Sequence, residues 1–121
     1  IKKIIGKQID YNDVQIRRAK GYDHNYVFTN DGKLKKMAKL YCDESGITMT
    51  VYSDLCGMQL YTGNFLDGVV GKGGTRYEEK AGICFETQYY PNACNEEHFP
   101  SSVLKAGQTY KSRTIYELAV S

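Results

Sequence analysis

Apolar and polar residues alternate with a period of two through much of this chain, and no stretch holds a sustained apolar period of 3.6. A period of two sends successive side chains to opposite faces of an extended strand. The clearest case is Ile47-Thr48-Met49-Thr50-Val51-Tyr52-Ser53, built of β-favouring types. Leu34, Lys36, Ala38 and Leu40 alternate with Lys35, Met37, Lys39 and Tyr41. Met58 to Thr62 reads as another strand closed by Gly63, Thr109 to Val120 as a closing strand, and Gln15 to Ala19 as a short one. Gly21 to Phe28 starts as a polar loop and ends as a strand. Asn30-Asp31-Gly32 predicts a hairpin turn, and Asp43 to Gly46 and Ala106-Gly107-Gln108 predict further turns. Pro91 to Ser102 reads as an irregular crossing loop, and the glycine-rich run Gly68 to Gly74 as a flexible one. Strands at short spacing between turn signals predict an all-β antiparallel sandwich or barrel.

One strand carries a carboxylate in its middle. In Gly82-Ile-Cys-Phe-Glu-Thr-Gln-Tyr-Tyr-Pro91, Ile83, Phe85, Thr87 and Tyr89 alternate with Cys84, Glu86, Gln88 and Tyr90. A half-buried Glu86 would be a proton acceptor near neutral pH, because burial disfavours its charged form. On residue types alone, a glutamate on the solvated face of an edge strand is the commoner arrangement.

The 121 residues suffice for one domain with its own core, and 41% hydrophobic with 25% charged residues is an ordinary globular balance. A net charge of +2, with no aromatic ladder beside the basic cluster Lys33 to Lys39, speaks against nucleic-acid binding. That cluster reads as a solvated turn or edge strand. Cys42, Cys56, Cys84 and Cys94 lack Cys-x-x-Cys spacing and only His24 and His98 accompany them, so a structural zinc site is not indicated. We read the four thiols as reduced and the protein as cytoplasmic. No apolar run is long enough for a transmembrane helix. Gly71-Lys72-Gly73-Gly74 fits neither phosphate-binding glycine pattern. The chain begins Ile1-Lys2-Lys3 without Met, as if cut from something longer.

Three motifs occur together in order. Gly21-Tyr22-Asp23-His24-Asn25 resembles the Gly-x-Asp-His-Asn motif of the aldose 1-epimerases, or galactose mutarotases. Gln59-Leu60-Tyr61-Thr62-Gly63-Asn64-Phe65-Leu66 resembles that family's Gln-x-Tyr-Thr-Gly-Asn-x-Leu segment. Gly82 to Pro91, His98-Phe99-Pro100 and Gly107-Gln108-Thr109-Tyr110 are similar to its C-terminal series. The resemblance covers the chain from Lys20 onward and corresponds to the last third of a typical member.

The resemblance implies an antiparallel β-sandwich, with residues 1–121 forming one β-rich part of a longer mutarotase-like domain. It implies a general base at Glu86, sugar contacts at Asp23 and Gln59, a hexose ligand, and no metal or cofactor. Such a base takes the proton of the anomeric hydroxyl while an acid protonates the ring oxygen. The ring opens, the bond next to C1 rotates, and the roles reverse; each placed proton transfer typically contributes ~10²–10⁴-fold. The family's catalytic acid is a histidine from an earlier segment, to which neither His24 nor His98 corresponds. The resemblance therefore implies pairing with a missing N-terminal part, or self-association through uncovered sheet edges. The alternative is a non-catalytic carbohydrate-binding or structural module of the same fold. Among other candidates, His24 reads as a structural hydrogen-bonder, Asn64 and Asp67 as shaping the loop after Gly63, and Tyr61, Tyr89 and Tyr90 as packing residues. A Cys84–His98 nucleophilic pair has no support in the spacing.

Overall fold

The computed structural model describes residues 14–120, so the weakly periodic start of the chain lies outside the described residues. Val14–Ala19 is a short helix, α1, where a strand was expected. Two arginines in its last turn complement the negative end of the helix, and Arg and Ala are good helix formers. Lys20 at φ 56° and Gly21 at φ 108° end it abruptly.

Eight strands follow: β1 (Asp23–Val27), β2 (Lys35–Tyr41), β3 (Ile47–Ser53), β4 (Gly57–Tyr61), β5 (Val69–Val70), β6 (Arg76–Tyr77), β7 (Cys84–Gln88) and β8 (Thr114–Val120). They form three sheets in the orders β1-β4-β7, β2-β3-β8 and β5-β6. The expected all-β class with antiparallel pairing is what the structure has. Its chain divides into two compact units, Ile1–Tyr26 with Gln59–Glu86, and Val27–Met58 with Thr87–Ser121.

In the second unit, β2 and β3 form a hairpin whose turn is Asp43 to Gly46, as the sequence predicts. Gly46 N–H donates to the Cys42 carbonyl at 2.9 Å, and Cys42 N–H to that of Ile47 at 3.0 Å. The β2–β3 register slips between Lys36 and Ala38. That bulge lets Met37 turn inward, where it is buried. β8 pairs along the other side of β3, from Ile47↔Val120 to Ser53↔Thr114. Being central, β3 is buried on both faces, at Thr48 and Thr50 and at Val51 and Ser53. The lysine cluster lies on and before β2, an edge strand. Lys35 pairs with Asp31 at 3.2 Å.

Two turn readings change. Asn30-Asp31-Gly32 is a turn, with Lys33 N–H on Asp31 Oδ1 at 3.1 Å, but β1 and β2 belong to different sheets and form no hairpin. Gly68 to Gly74, expected as a flexible loop, holds β5 and a single 3₁₀ turn at Lys72–Gly74, and β6 follows. The Gly71 N–H to Thr75 carbonyl bond, 2.8 Å, closes that small hairpin. Gly71 leaves room for the Tyr77 ring, which a Cβ there would meet at 2.2 Å.

Candidate active site

The first unit brings two of the sequence motifs together. Tyr22 N–H donates to Thr62 Oγ1 at 2.8 Å, and Thr62 N–H donates to the Tyr22 carbonyl at 3.1 Å. The Thr62 hydroxyl donates to Asn64 Oδ1 at 2.7 Å, and Asn64 Nδ2 donates to the Tyr22 carbonyl at 2.9 Å. These bonds tie the Asn64 side chain back to Tyr22 and Thr62. Thr62 is wholly buried. Gly21 is required because its φ is 108° and a Cβ there would stand 1.9 Å from Asn64 Oδ1. This knot fixes the entry to β1 against the exit of β4.

The apolar face of the β1-β4-β7 sheet follows from its core. Tyr22 and Leu60 are buried, with Tyr26, Ile83 and Phe85 packed against them. Burial by this cluster pushes the Tyr26 phenol above its ordinary pKa, with Tyr22 adding to the effect. Period two then sends the intervening residues to the opposite face: Asp23 and Asn25 on β1, Gln59 and Tyr61 on β4, Glu86 on β7. All three sequence-derived site residues therefore share one face of one sheet.

Asp23, expected in a loop, is the first residue of β1. Its Oδ1 accepts from Gln59 Nε2 at 2.6 Å, a charge-assisted hydrogen bond. Glu86 is exposed rather than half-buried, since Phe85 and Ile83 take the core side of β7. An exposed carboxylate on this face is open to a ligand as well as to solvent. His24 points away from the pair. Its Nδ1 accepts from Asp23 N–H at 3.1 Å, and its ring lies edge-on to Tyr22 with centroids 5.8 Å apart, so it is the structural hydrogen-bonder expected. The Tyr61 ring stacks on Phe65 at 6.3 Å, and its hydroxyl accepts from Phe65 N–H at 3.1 Å. His98 Nδ1 faces Glu96 at 3.8 Å.

Sequence reasoning gave Asn25 no role. Both ends of its carboxamide are buried without a hydrogen-bond partner, as is Gln59 Oε1. The available signal was position: Asn25 lies two residues from Asp23, on the same strand face.

All four cysteines are free. Cys56 is buried, whereas Cys84 on β7 is exposed. Among the described residues, no group of three or more His, Cys, Asp or Glu could hold a metal ion, and no helix is long and apolar enough to cross a membrane.

A family model described as aldose 1-epimerase matches residues 2–117. The chain belongs to the aldose 1-epimerase family. It is 39% identical to galactose mutarotase of Bos taurus over 102 residues, which cover 84% of this chain and 30% of that protein. It is 31% identical to aldose 1-epimerase of Escherichia coli over 118 residues, covering 95% of this chain and 34% of that protein. Among solved structures, a GalM/aldose epimerase homologue from C. elegans superposes with a TM-score of 0.73 at 26% identity, over 82% of this chain and 30% of the other. The chain thus has the fold seen in the family and spans about 30% of the length of the curated relatives it matches.

Proposed function

We propose that this chain is the C-terminal part of an aldose 1-epimerase that interconverts the α and β anomers of hexoses such as galactose and glucose. Glu86 is the general base that takes the anomeric hydroxyl proton and returns one when the ring closes. Asp23 and Gln59 hold the sugar: the carboxylate accepts from sugar hydroxyls, and the amide keeps it in place. The acid that protonates the ring oxygen is a histidine contributed by a segment of the enzyme outside these residues. The reaction exchanges protons and rotates one bond, so side chains can carry it without a cofactor. The protein works in the cytoplasm, a reading that four free thiols support.

The observation carrying this proposal is the shared sheet face of Asp23, Gln59 and Glu86, with Gln59 Nε2 bonded to Asp23 Oδ1 at 2.6 Å. Family membership supports the reaction class, and the relatives compared are named galactose mutarotase and aldose 1-epimerase. Titration calorimetry with galactose tests the sugar-binding assignment. Asp23→Ala in the whole enzyme is expected to weaken binding about tenfold to a hundredfold, since it removes a charged hydrogen-bond acceptor. Unaltered affinity would count against Asp23 as a sugar ligand.

A further inference from the structure

The site face contains an unsolved hydrogen-bonding problem. Gln59 Nε2 donates to Asp23, but Gln59 Oε1 is buried without a donor, and the neighbouring Asn25 carboxamide is buried with neither end partnered. Buried polar atoms rarely stay unpaired, because they have left water and gained nothing in return.

Strand register says where these two amides stand. The Thr62 N–H bonds the Tyr22 carbonyl, and the Phe28 N–H bonds the Cys56 carbonyl, so β1 and β4 run antiparallel. Counting inward from either bond puts Asn25 directly opposite Gln59. The site is a non-hydrogen-bonded position, where facing side chains lie closest, with Cβ atoms about 5 Å apart. One residue offers an unused donor, Asn25 Nδ2, and the residue across from it an unused acceptor, Gln59 Oε1. The terminal torsions of Asn and Gln are broad, so both amides are free to turn towards each other.

We propose that Asn25 is the positioning residue of the sugar site: its Nδ2 donates to Gln59 Oε1 and so fixes the Gln59 amide with Nε2 towards Asp23. The inference rests on the sugar-site reading of Asp23 and Gln59. Its logic is that a glutamine amide has two nearly isosteric orientations, differing by a half-turn. The flipped orientation sets Oε1 against the Asp23 carboxylate, acceptor against acceptor, and pushes that carboxylate away from its place. A donor on Oε1 removes the flipped state. Asn25 acts through Gln59, and so its effect falls on sugar binding rather than on proton transfer at Glu86.

The test uses the whole enzyme with ¹⁵N-labelled side-chain amides. In the wild type, the Asn25 Nδ2 protons are expected to show the shallow temperature dependence of hydrogen-bonded amides, and the Gln59 Nε2 pair a shifted position. Asn25→Leu removes the donor at similar volume, and Asn25→Asp replaces it with an acceptor. Both are expected to move the Gln59 Nε2 resonances and to raise KM for galactose roughly tenfold while kcat stays within about twofold, the size of effect expected on losing one such bond. Unbonded behaviour of Asn25 Nδ2 in the wild type would overturn the proposal even if neither variant folds. So would unmoved Gln59 resonances in folded variants, or a KM unchanged in both. Failure of the sugar-site reading looks different: Asp23→Ala would then leave galactose affinity unaltered, while the Gln59 resonances still report whether Asn25 holds the amide.

Discussion

Thr62 does three things with one residue. Its backbone N–H pairs with the Tyr22 carbonyl, its hydroxyl accepts from Tyr22 N–H, and the same hydroxyl donates to Asn64. Thr62→Val keeps the shape and removes the oxygen, leaving the Tyr22 N–H and Asn64 Oδ1 without that partner in a buried site. The expected loss is about 1–3 kcal/mol, read as a lower urea midpoint. An unchanged midpoint would show that the knot between the two motifs is not what anchors β1. At this scale the sequence is legible in part. Motif and alternation point to Asp23, Gln59 and Glu86, the residues of the proposed site, and the structure sets them on one face. The need for glycine at position 21 cannot be read locally, because the atom that forbids a Cβ belongs to Asn64, far along the chain. Asn25 stayed hidden for a similar reason: its isolation follows from pairing with a distant strand.

Elements formed of β-branched and alternating residues are the ones the sequence shows best. Ile47–Ser53 has the bounds that its composition predicts. Where tertiary pairing decides, local pattern misleads. Asn30-Asp31-Gly32 has hairpin chemistry, yet the strands it joins pair elsewhere, β1 with β4 and β2 with β3. The Val14–Ala19 helix is too short to show a period. Cysteine reactivity checks the element assignments. Cys42 sits at the end of β2 beside the Asp43–Gly46 turn, where hydrogen bonds from Ser45 hold its thiol below the usual range. Cys56 lies in the buried bend before β4, where desolvation pushes its thiol up. The thiolate is the reactive form, so a lower pKa gives more of it at a given pH. Cys42 is expected to react with Ellman's reagent from mildly alkaline pH downwards, further than an ordinary thiol would, and Cys56 only once the protein unfolds. Equal rates for the two in the native protein would contradict their placement.

The chain as a whole leaves apolar surface uncovered. Ile47, Leu118 and Val120 are exposed, and the register Ile47↔Val120 and Met49↔Leu118 sets them on one face of the β2-β3-β8 sheet. A contiguous exposed apolar face of this kind marks a surface suited to packing against another part of a protein or a partner. The pairing with an N-terminal part belongs to the proposal, as does the catalytic acid. On that proposal, the base and the sugar contacts act in the whole enzyme. Freshly dissolved α-D-galactose, followed by polarimetry, tests the central claim most directly. In the whole enzyme, Glu86→Gln keeps the shape of the side chain and removes its basicity, and is expected to slow mutarotation at least about a hundredfold while galactose affinity changes little. Turnover unchanged by that substitution would contradict the assignment of Glu86 as the base.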